Sequence, residues 1–333
     1  MKKKKKIFKI ILYVVISLIV LTAIAIPVGL NYFRNKLSVD TFEKFSESKQ
    51  LAFGKIIWHD GELNGQKVKR MSLFIPVKIE GISESFYMQF DIGSAITMFY
   101  SNALNEVIKS YPKIKLSTDK KGIEFLNNVH MELADNKLSF YAPKIRIDNI
   151  EGGSYKIDSI LILGSIGYDA IINRTLILDF KNNQFAITKK SYDNLGYKMN
   201  LVDCSLSKFP VFINAKIGNE SVRFFYDTGS SIFSALTSVK KFNSVKKAGK
   251  VDTLCCIHAW GQDYKVLRKK LFVPIKIGNE LFIDKYLYAT SQQTLQEFNY
   301  FPDWYIFGIT GNILFNGKII VIDTRNNKFG IVE

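Results

Sequence analysis

Cysteine is scarce: the chain has three in 333 residues, Cys204, Cys255 and Cys256. An odd number spaced this way is not a disulfide framework. Cys255-Cys256-Ile257-His258 gathers three potential metal ligands, but neighbouring residues of a strand point to opposite faces and do not readily share one ion. Packed thiols, and no metal or cofactor, are the expectation. Acid is also missing at the start, since no Asp or Glu precedes Asp40. The basic-aromatic patterning of a nucleic-acid module is absent, which argues against a nucleic-acid partner. None of the three histidines, His59, His130 and His258, is paired with a nucleophile in any repeated way. They are expected to be structural or exposed.

What is present is a folding composition, 47% hydrophobic and 14% aromatic. Phe, Tyr, Ile and Val lead the apolar set, which favours strands. The net charge of +16 is uneven. Lys2 to Lys6, Lys9, Arg34 and Lys36 supply eight positive charges, leaving 38 bases against 30 acids in the remainder. That excess reads as a solvated basic surface.

Residues 7–30 are almost purely apolar, with Lys9 as the one charge. A run of this length spans the hydrocarbon of a bilayer as a helix. Lys2 to Lys6 favour an N-terminus inside and the rest outside. The expectation is therefore a basic cytoplasmic tail (1–6), a transmembrane anchor (7–30), a polar stalk (31–54) with a weak helical pattern at Phe42, Phe45 and Leu51, and an extracytoplasmic body. The rival is a signal peptide cleaved near Ala23-Ile24-Ala25, which would leave a secreted protein. No cysteine near the end of the run offers a lipid attachment point.

From Lys55 on, short apolar runs alternate with turn residues, as in an all-β body. The chain also repeats itself. Residues 74–97 and 209–232 each read as a strand, a turn, a second strand and then Asp-x-Gly-Ser. From Lys78 to Asp91 is two residues longer than from Lys216 to Asp227, which assigns the extra length to the first hairpin turn. Further on, residues 161–187 match 305–331 without a gap. Gly164 pairs with Gly308, Asp179 with Asp323, and Asn182-Asn183 with Asn326-Asn327 at matching hairpin turns. The body is expected to be two related β units, 55–190 and 195–333.

One Asp-x-Gly after an apolar strand is usually only a turn. Two copies, each leaving a strongly apolar strand, place two carboxylates where an unpaired charge is costly. A two-fold arrangement of the units would bring both to the axis.

This pattern resembles the pepsin-like and retropepsin-like aspartic proteases. The carrying residues are Asp91-Ile92-Gly93-Ser94 with Ile162-Leu163-Gly164, and Asp227-Thr228-Gly229-Ser230 with Ile306-Phe307-Gly308. The resemblance covers nearly all of the chain beyond the stalk. It implies a bilobal, all-β, pepsin-like fold, monomeric because two lobes replace a dimer, with a polypeptide as substrate. It implies an endopeptidase in which Asp91 and Asp227 share a proton and activate a water; aspartic proteases are a standard example of two carboxyls that cannot both ionise. Gly93 and Gly229 would present backbone N–H groups to the acids, and Ser94 and Ser230 would each donate to the neighbouring Asp. The two Gly-ending segments would brace the loops from behind.

Ile92 departs from the pattern, because the family places a Thr or Ser there whose hydroxyl cross-links the loops. Thr228 then lacks its matching hydroxyl and must find another partner or lose about 1 kcal/mol. The alternative reading is a weak or inactive homologue that binds peptides or envelope proteins; a second is an anchored scaffold whose duplicated units serve only assembly. A flap over the substrate is expected within 122–143, its turn at either 126–129 or 134–137, with Tyr141 as its candidate aromatic. The counterpart in the second unit is expected at Ala259-Trp260-Gly261-Gln262.

Overall fold

The computed structural model describes residues 39–149, 156–259, 262–290 and 305–333, with residues 25, 26, 28, 29, 31, 32 and 34–36 of a preceding helical segment. The side chains of 255–264 are outside this description, including those of Cys255, Cys256 and His258; so are the expected tip residue Trp260 and nearly all of the expected anchor. Among the described residues no helix is long and apolar enough to cross a membrane.

The described chain is mostly β, in three sheets. The first holds β1 (Lys44–Glu47), β3 (Ile57–Leu63), β4 (Gln66–Ile79), β5 (Ser85–Phe90), β6 (Met98–Tyr100), β7 (Leu116–Thr118), β8 (Glu124–Leu133), β9 (Leu138–Asp148), β10 (Lys156–Ile157) and β11 (Ile160–Ile166). The second holds β15 (Cys204–Ser205), β16 (Phe212–Ile217), β17 (Glu220–Tyr226), β18 (Ala235–Ser238), β19 (Asp252–Ala259), β20 (Gln262–Lys270), β21 (Ile275–Ile277), β22 (Glu280–Phe282), β23 (Tyr286–Thr290) and β24 (Gly308–Thr310). Between them lies a six-stranded sheet of β2 (Gly54–Lys55), β12 (Thr175–Asp179), β13 (Gln184–Thr188), β14 (Met199–Val202), β25 (Ile319–Asp323) and β26 (Lys328–Val332). Two short helices, α1 (Ser101–Ser110) and α2 (Val239–Ser244), follow β6 and β18 at matching places.

The duplication seen in the sequence is a duplication of pairing. In the first half β5 runs parallel to β11, which runs antiparallel to β6; in the second, β17 runs parallel to β24, which runs antiparallel to β18. The extra two residues of the first copy fall in the β4–β5 turn, since Lys78 pairs with Ser85 where Lys216 pairs with Ser221. The middle sheet joins the halves through β12 and β25. The offset that matches Gly164 with Gly308 also matches Ile177 with Val321, and these two residues face each other at the centre of that antiparallel pair. An antiparallel pair has a local two-fold axis at its centre, so the repeat-related strands β12 and β25 are related by one. The hairpins β12–β13 and β25–β26 turn through Asn183 and Asn327, both at positive φ, with Asp179 and Asp323 accepting from the turn amides. Every residue of β12 is buried, because the sheet is covered on both faces. Leu176 and Leu178 enter the main core, while Ile177, Ala186 and Val321 pack under Leu51, Phe53, Tyr192 and Leu195.

Two expectations change here. The stalk of 31–54 is not a spacer from Phe42 onward. Phe42 and Phe45 are buried against the Phe140 ring, β1 pairs with β9, and β2 joins the middle sheet. The three-residue spacing of Phe42 and Phe45 looked helical, but in the fold it delivers two rings to one aromatic cluster. Ahead of it, the helical segment is docked rather than free. Arg34 donates to Ser205 Oγ at 2.7 Å and to the carbonyls of Lys208 and Pro210 at 2.5 and 3.0 Å, and Lys208 Nζ donates to Asn31 Oδ1 at 2.7 Å.

The halves also differ. In the first, β9, β6, β11, β5, β4 and β8 close into a ring, because β8 pairs with both β4 and β9. In the second the corresponding strands are broken. β20 and β21 do the work of β8, β22 and β23 that of β9, and the breaks fall at 271–274 and 283–285.

Candidate active site

Each Asp loop leaves the C-terminal end of a strand that is paired in parallel. Asp91 N donates to Ile166 O at 2.9 Å, and Asp227 N donates to Thr310 O at 3.0 Å. The two loops meet across the local axis. A Cβ added to Gly93 would lie 2.2 Å from Asp227 Oδ1, and one added to Gly229 would lie 2.6 Å from Asp91 Oδ1. Each loop's glycine thus makes room for the other loop's acid. The two carboxyl groups are hydrogen-bonded to each other. Asp227 is 5% exposed, whereas Asp91 keeps more exposure. Burial pushes the Asp91 carboxyl well above its ordinary value, and the charge of Asp227 and the hydrogen bond with it push the same way.

The remaining loop residues behave unequally. Gly93 N donates to Asp91 Oδ1 at 3.0 Å and Gly229 N to Asp227 Oδ1 at 2.8 Å. Ser230 Oγ donates to Asp227 Oδ2 at 2.6 Å. Ser94, expected to do the same for Asp91, instead donates to Ile96 O at 2.9 Å. Its hydroxyl closes its own turn and leaves Asp91 without a side-chain donor from the loop.

Thr228 is fully engaged despite the loss of a hydroxyl at Ile92. Its Oγ1 donates to Phe90 O at 2.7 Å and accepts from Ile92 N at 2.9 Å. A hydroxyl both gives and takes, so one Thr stitches the loops in one direction using only the partner loop's backbone. Ile92 fills its own place as a fully buried apolar side chain.

The bracing lies three residues past the expected glycines. Gly164 and Gly308 allow close strand contact, their added Cβ falling 2.1 Å from Met98 O and 2.0 Å from Leu236 O. The loops themselves are held by the next glycine pair. Gly167 N donates to Thr97 Oγ1 at 3.1 Å, Tyr168 N to Ser94 O at 2.8 Å, and Gly311 N to Phe233 O at 2.8 Å. Gly167 and Gly311 match each other in the repeat, and that coincidence was the available signal.

Behind each brace sits a different polar residue. In the first half buried Asp169 accepts from Thr97 N and Thr97 Oγ1, both at 2.7 Å, and the Thr41 side chain also bonds to it. Burial pushes this carboxyl up to about 6, against the pull of those donors. In the second half buried Asn312 donates to Thr228 O and Ser231 Oγ, both at 2.8 Å, and accepts from the buried Tyr226 hydroxyl at 2.8 Å. Tyr100, at the end of β6, bonds to Ser165; burial and the Asp91 charge both raise its phenol. Ser238 occupies the equivalent place in β18, so the repeat gave no hint of Tyr100.

The expected flap divides into two features. Residues 126–129 lie inside β8, and the turn of the β8–β9 hairpin is 134–137, with Ala134, Asp135 and Asn136 at positive φ. By order of pairing, however, the counterpart of the β19–β20 hairpin is β7–β8, whose turn is 119–123 and whose Asp119 carboxylate accepts from Lys121 N and Ile123 N. Tyr141 packs its ring at a tilt against His130 and donates to Asn128 on the outside of the first sheet.

Against known proteins, no family model matches the chain and no curated protein is similar to it. Two carboxyls in contact, one richly hydrogen-bonded and one held high by burial, form a pair suited to passing a proton each way.

Proposed function

We propose that the chain is an aspartic endopeptidase with a pepsin-like, two-lobed body, held outside a membrane by an uncleaved N-terminal helix. The observation that carries this reading is the hydrogen-bonded pair of Asp91 and Asp227, delivered by repeat-related loops across a local two-fold axis. Asp227, oriented by donors from Ser230 and Gly229, is the partner that takes a proton from the water. Asp91, its carboxyl desolvated beside Asp227 and without a hydroxyl donor from its loop, holds the proton.

A water between the carboxyls loses a proton to Asp227 and attacks the scissile carbonyl carbon. Asp91 gives its proton to the carbonyl oxygen. The resulting diol collapses as Asp227 passes its proton to the departing nitrogen, the C–N bond breaks, and Asp91 recovers a proton from a diol hydroxyl. The braces at Gly167 and Gly311 keep the two acids in register during these transfers.

The test is digestion of a denatured protein mixture by the full chain at acidic pH, with and without a pepstatin-type inhibitor. Cleavage is expected, blocked by the inhibitor and lost in both Asp91→Asn and Asp227→Asn. Cleavage that survives both substitutions would refute the assignment.

A further inference from the structure

The broken strands of the second half leave an unusual surface. Phe272 is 69% exposed, Ile283 66%, Leu281 59% and Val251 56%. Phe272 lies in the first break and Ile283 in the second, where the first half runs continuous strands. The four form one flank. Phe272 N donates to Lys247 O and its ring reaches Gly249, bringing Val251 alongside. Leu271 N donates to Lys285 O, which joins the first break to the second. Phe282 is buried opposite Ile275, so Leu281 and Ile283 turn outward on either side of it.

Lysines surround this apolar strip. Lys246, Lys247, Lys250 and Lys276 are exposed and Lys285 is half-buried. Lys270 pairs with Asp284 at 2.8 Å. Exposed aromatic and aliphatic side chains rimmed by lysine are the chemistry of a surface that meets anionic lipid headgroups.

The helical segment is tied to the same flank. Arg34 and Asn31 are bound to 205–210. From there the chain runs back through β15 and β14 to Leu201, where Gly278, in the turn before Leu281, packs against Leu201 O and Val202. Asn200 and Glu280 are hydrogen-bonded across the same seam. The strip and the docking site of the helical segment are thus joined through one short stretch of chain.

We propose that this flank of the second half docks on an anionic bilayer. Val251, Phe272, Leu281 and Ile283 enter the headgroup layer, and Lys246, Lys247, Lys250, Lys276 and Lys285 pair with lipid phosphates. The body then lies against the membrane and is not lifted off it. This inference does not depend on the proteolytic reading.

The test uses the full chain in phosphatidylglycerol nanodiscs doped with a headgroup photolabel, with labelled peptides mapped by mass spectrometry. Phosphatidylcholine nanodiscs and detergent micelles are the comparisons. In phosphatidylglycerol, labelling of 246–251 and 270–285 should exceed that of β8 by about tenfold, and it should fall severalfold in phosphatidylcholine. The triple change Phe272→Ser, Leu281→Ser and Ile283→Ser, at exposed positions that do not support the core, should bring it to background. Retention of the chain in the disc reports residues 7–30 separately and should not change. If the chain is not retained, co-sedimentation with phosphatidylglycerol vesicles makes the same comparison. Uniform labelling, labelling concentrated on the first half, or labelling that survives the triple change would overturn the proposal. So would concentration-dependent cross-links between Lys276 residues of two copies in micelles, which would assign the strip to self-association.

Discussion

The two Asp loops have nearly the same sequence and differ in what surrounds their acids. Asp227 receives a hydroxyl from Ser230, and its loop is braced by a neutral amide, Asn312. Asp91 receives no hydroxyl from Ser94, and its loop is braced by a buried carboxyl, Asp169. A duplicated scaffold has thus produced two unlike carboxyls, and a proton-passing pair needs unlike members. Identical residues do not guarantee identical roles; the hydroxyl goes where the nearest geometrically suitable acceptor is.

The strongest way to break this comparison is at the acids. Asp91→Asn or Asp227→Asn should each lower kcat by roughly 10³-fold or more, read in a peptide-cleavage assay. Asp91→Asn should also leave the melting temperature at pH 7 equal or higher. The Asp91 carboxyl is raised in the folded state, so ionising it costs stability above the unfolded carboxylate value. Below that value the advantage of Asn should vanish.

Asp169 sharpens the comparison through pH. It titrates near 6 when folded and at the ordinary carboxylate value when unfolded. The folded state therefore keeps its proton longer, and stability should fall as pH rises from about 4 to about 6, by up to about 3 kcal/mol. The charged groups around it are Arg174, which bonds the Asp169 and Ala170 carbonyls, and Asp40 beyond Arg174. Urea unfolding across this range should show the fall in the wild type and a flattened profile in Asp169→Asn. Asn312→Asp in the second half should install a comparable slope where none of this origin exists.

Thr228→Val removes the one-way stitch and leaves Phe90 O and Ile92 N without their partner, a loss of about 2 kcal/mol by urea unfolding. Thr228→Ser should recover most of it. The smallest effect separates the two serines. Ser230→Ala should lower kcat by about tenfold, because Asp227 loses the hydroxyl that orients it. Ser94→Ala should leave kcat nearly unchanged, because that hydroxyl closes its own turn.

Much of the frame was legible in the sequence because duplication makes a pattern testable against itself. The Asp loops, the matched hairpins at Asn183 and Asn327, and the extra length before Asp91 all came from comparing copies. What escaped was whatever the copies do not share, or share without an obvious residue preference. Asp169, Asn312 and Tyr100 each serve one half, so no repeat flagged them. Gly167 and Gly311 did coincide but stood behind the more familiar Gly164 and Gly308. The direction of the Ser94 hydroxyl depends on the carbonyl of Ile96, which is a fact of turn geometry and not of composition. Phe42 and Phe45 misled because one spacing serves both a helix face and two rings converging on Phe140.

The ladder between β12 and β25 also limits how the molecule opens. Five residue pairs, from Thr175 facing Asp323 to Asp179 facing Ile319, bind the halves at their base. Swinging the halves apart like a book would tear that ladder and expose apolar side chains packed on both of its faces. On the proposed function, a long guest would enter where peripheral hairpins lift and reseat, while the acid-bearing floor stays still.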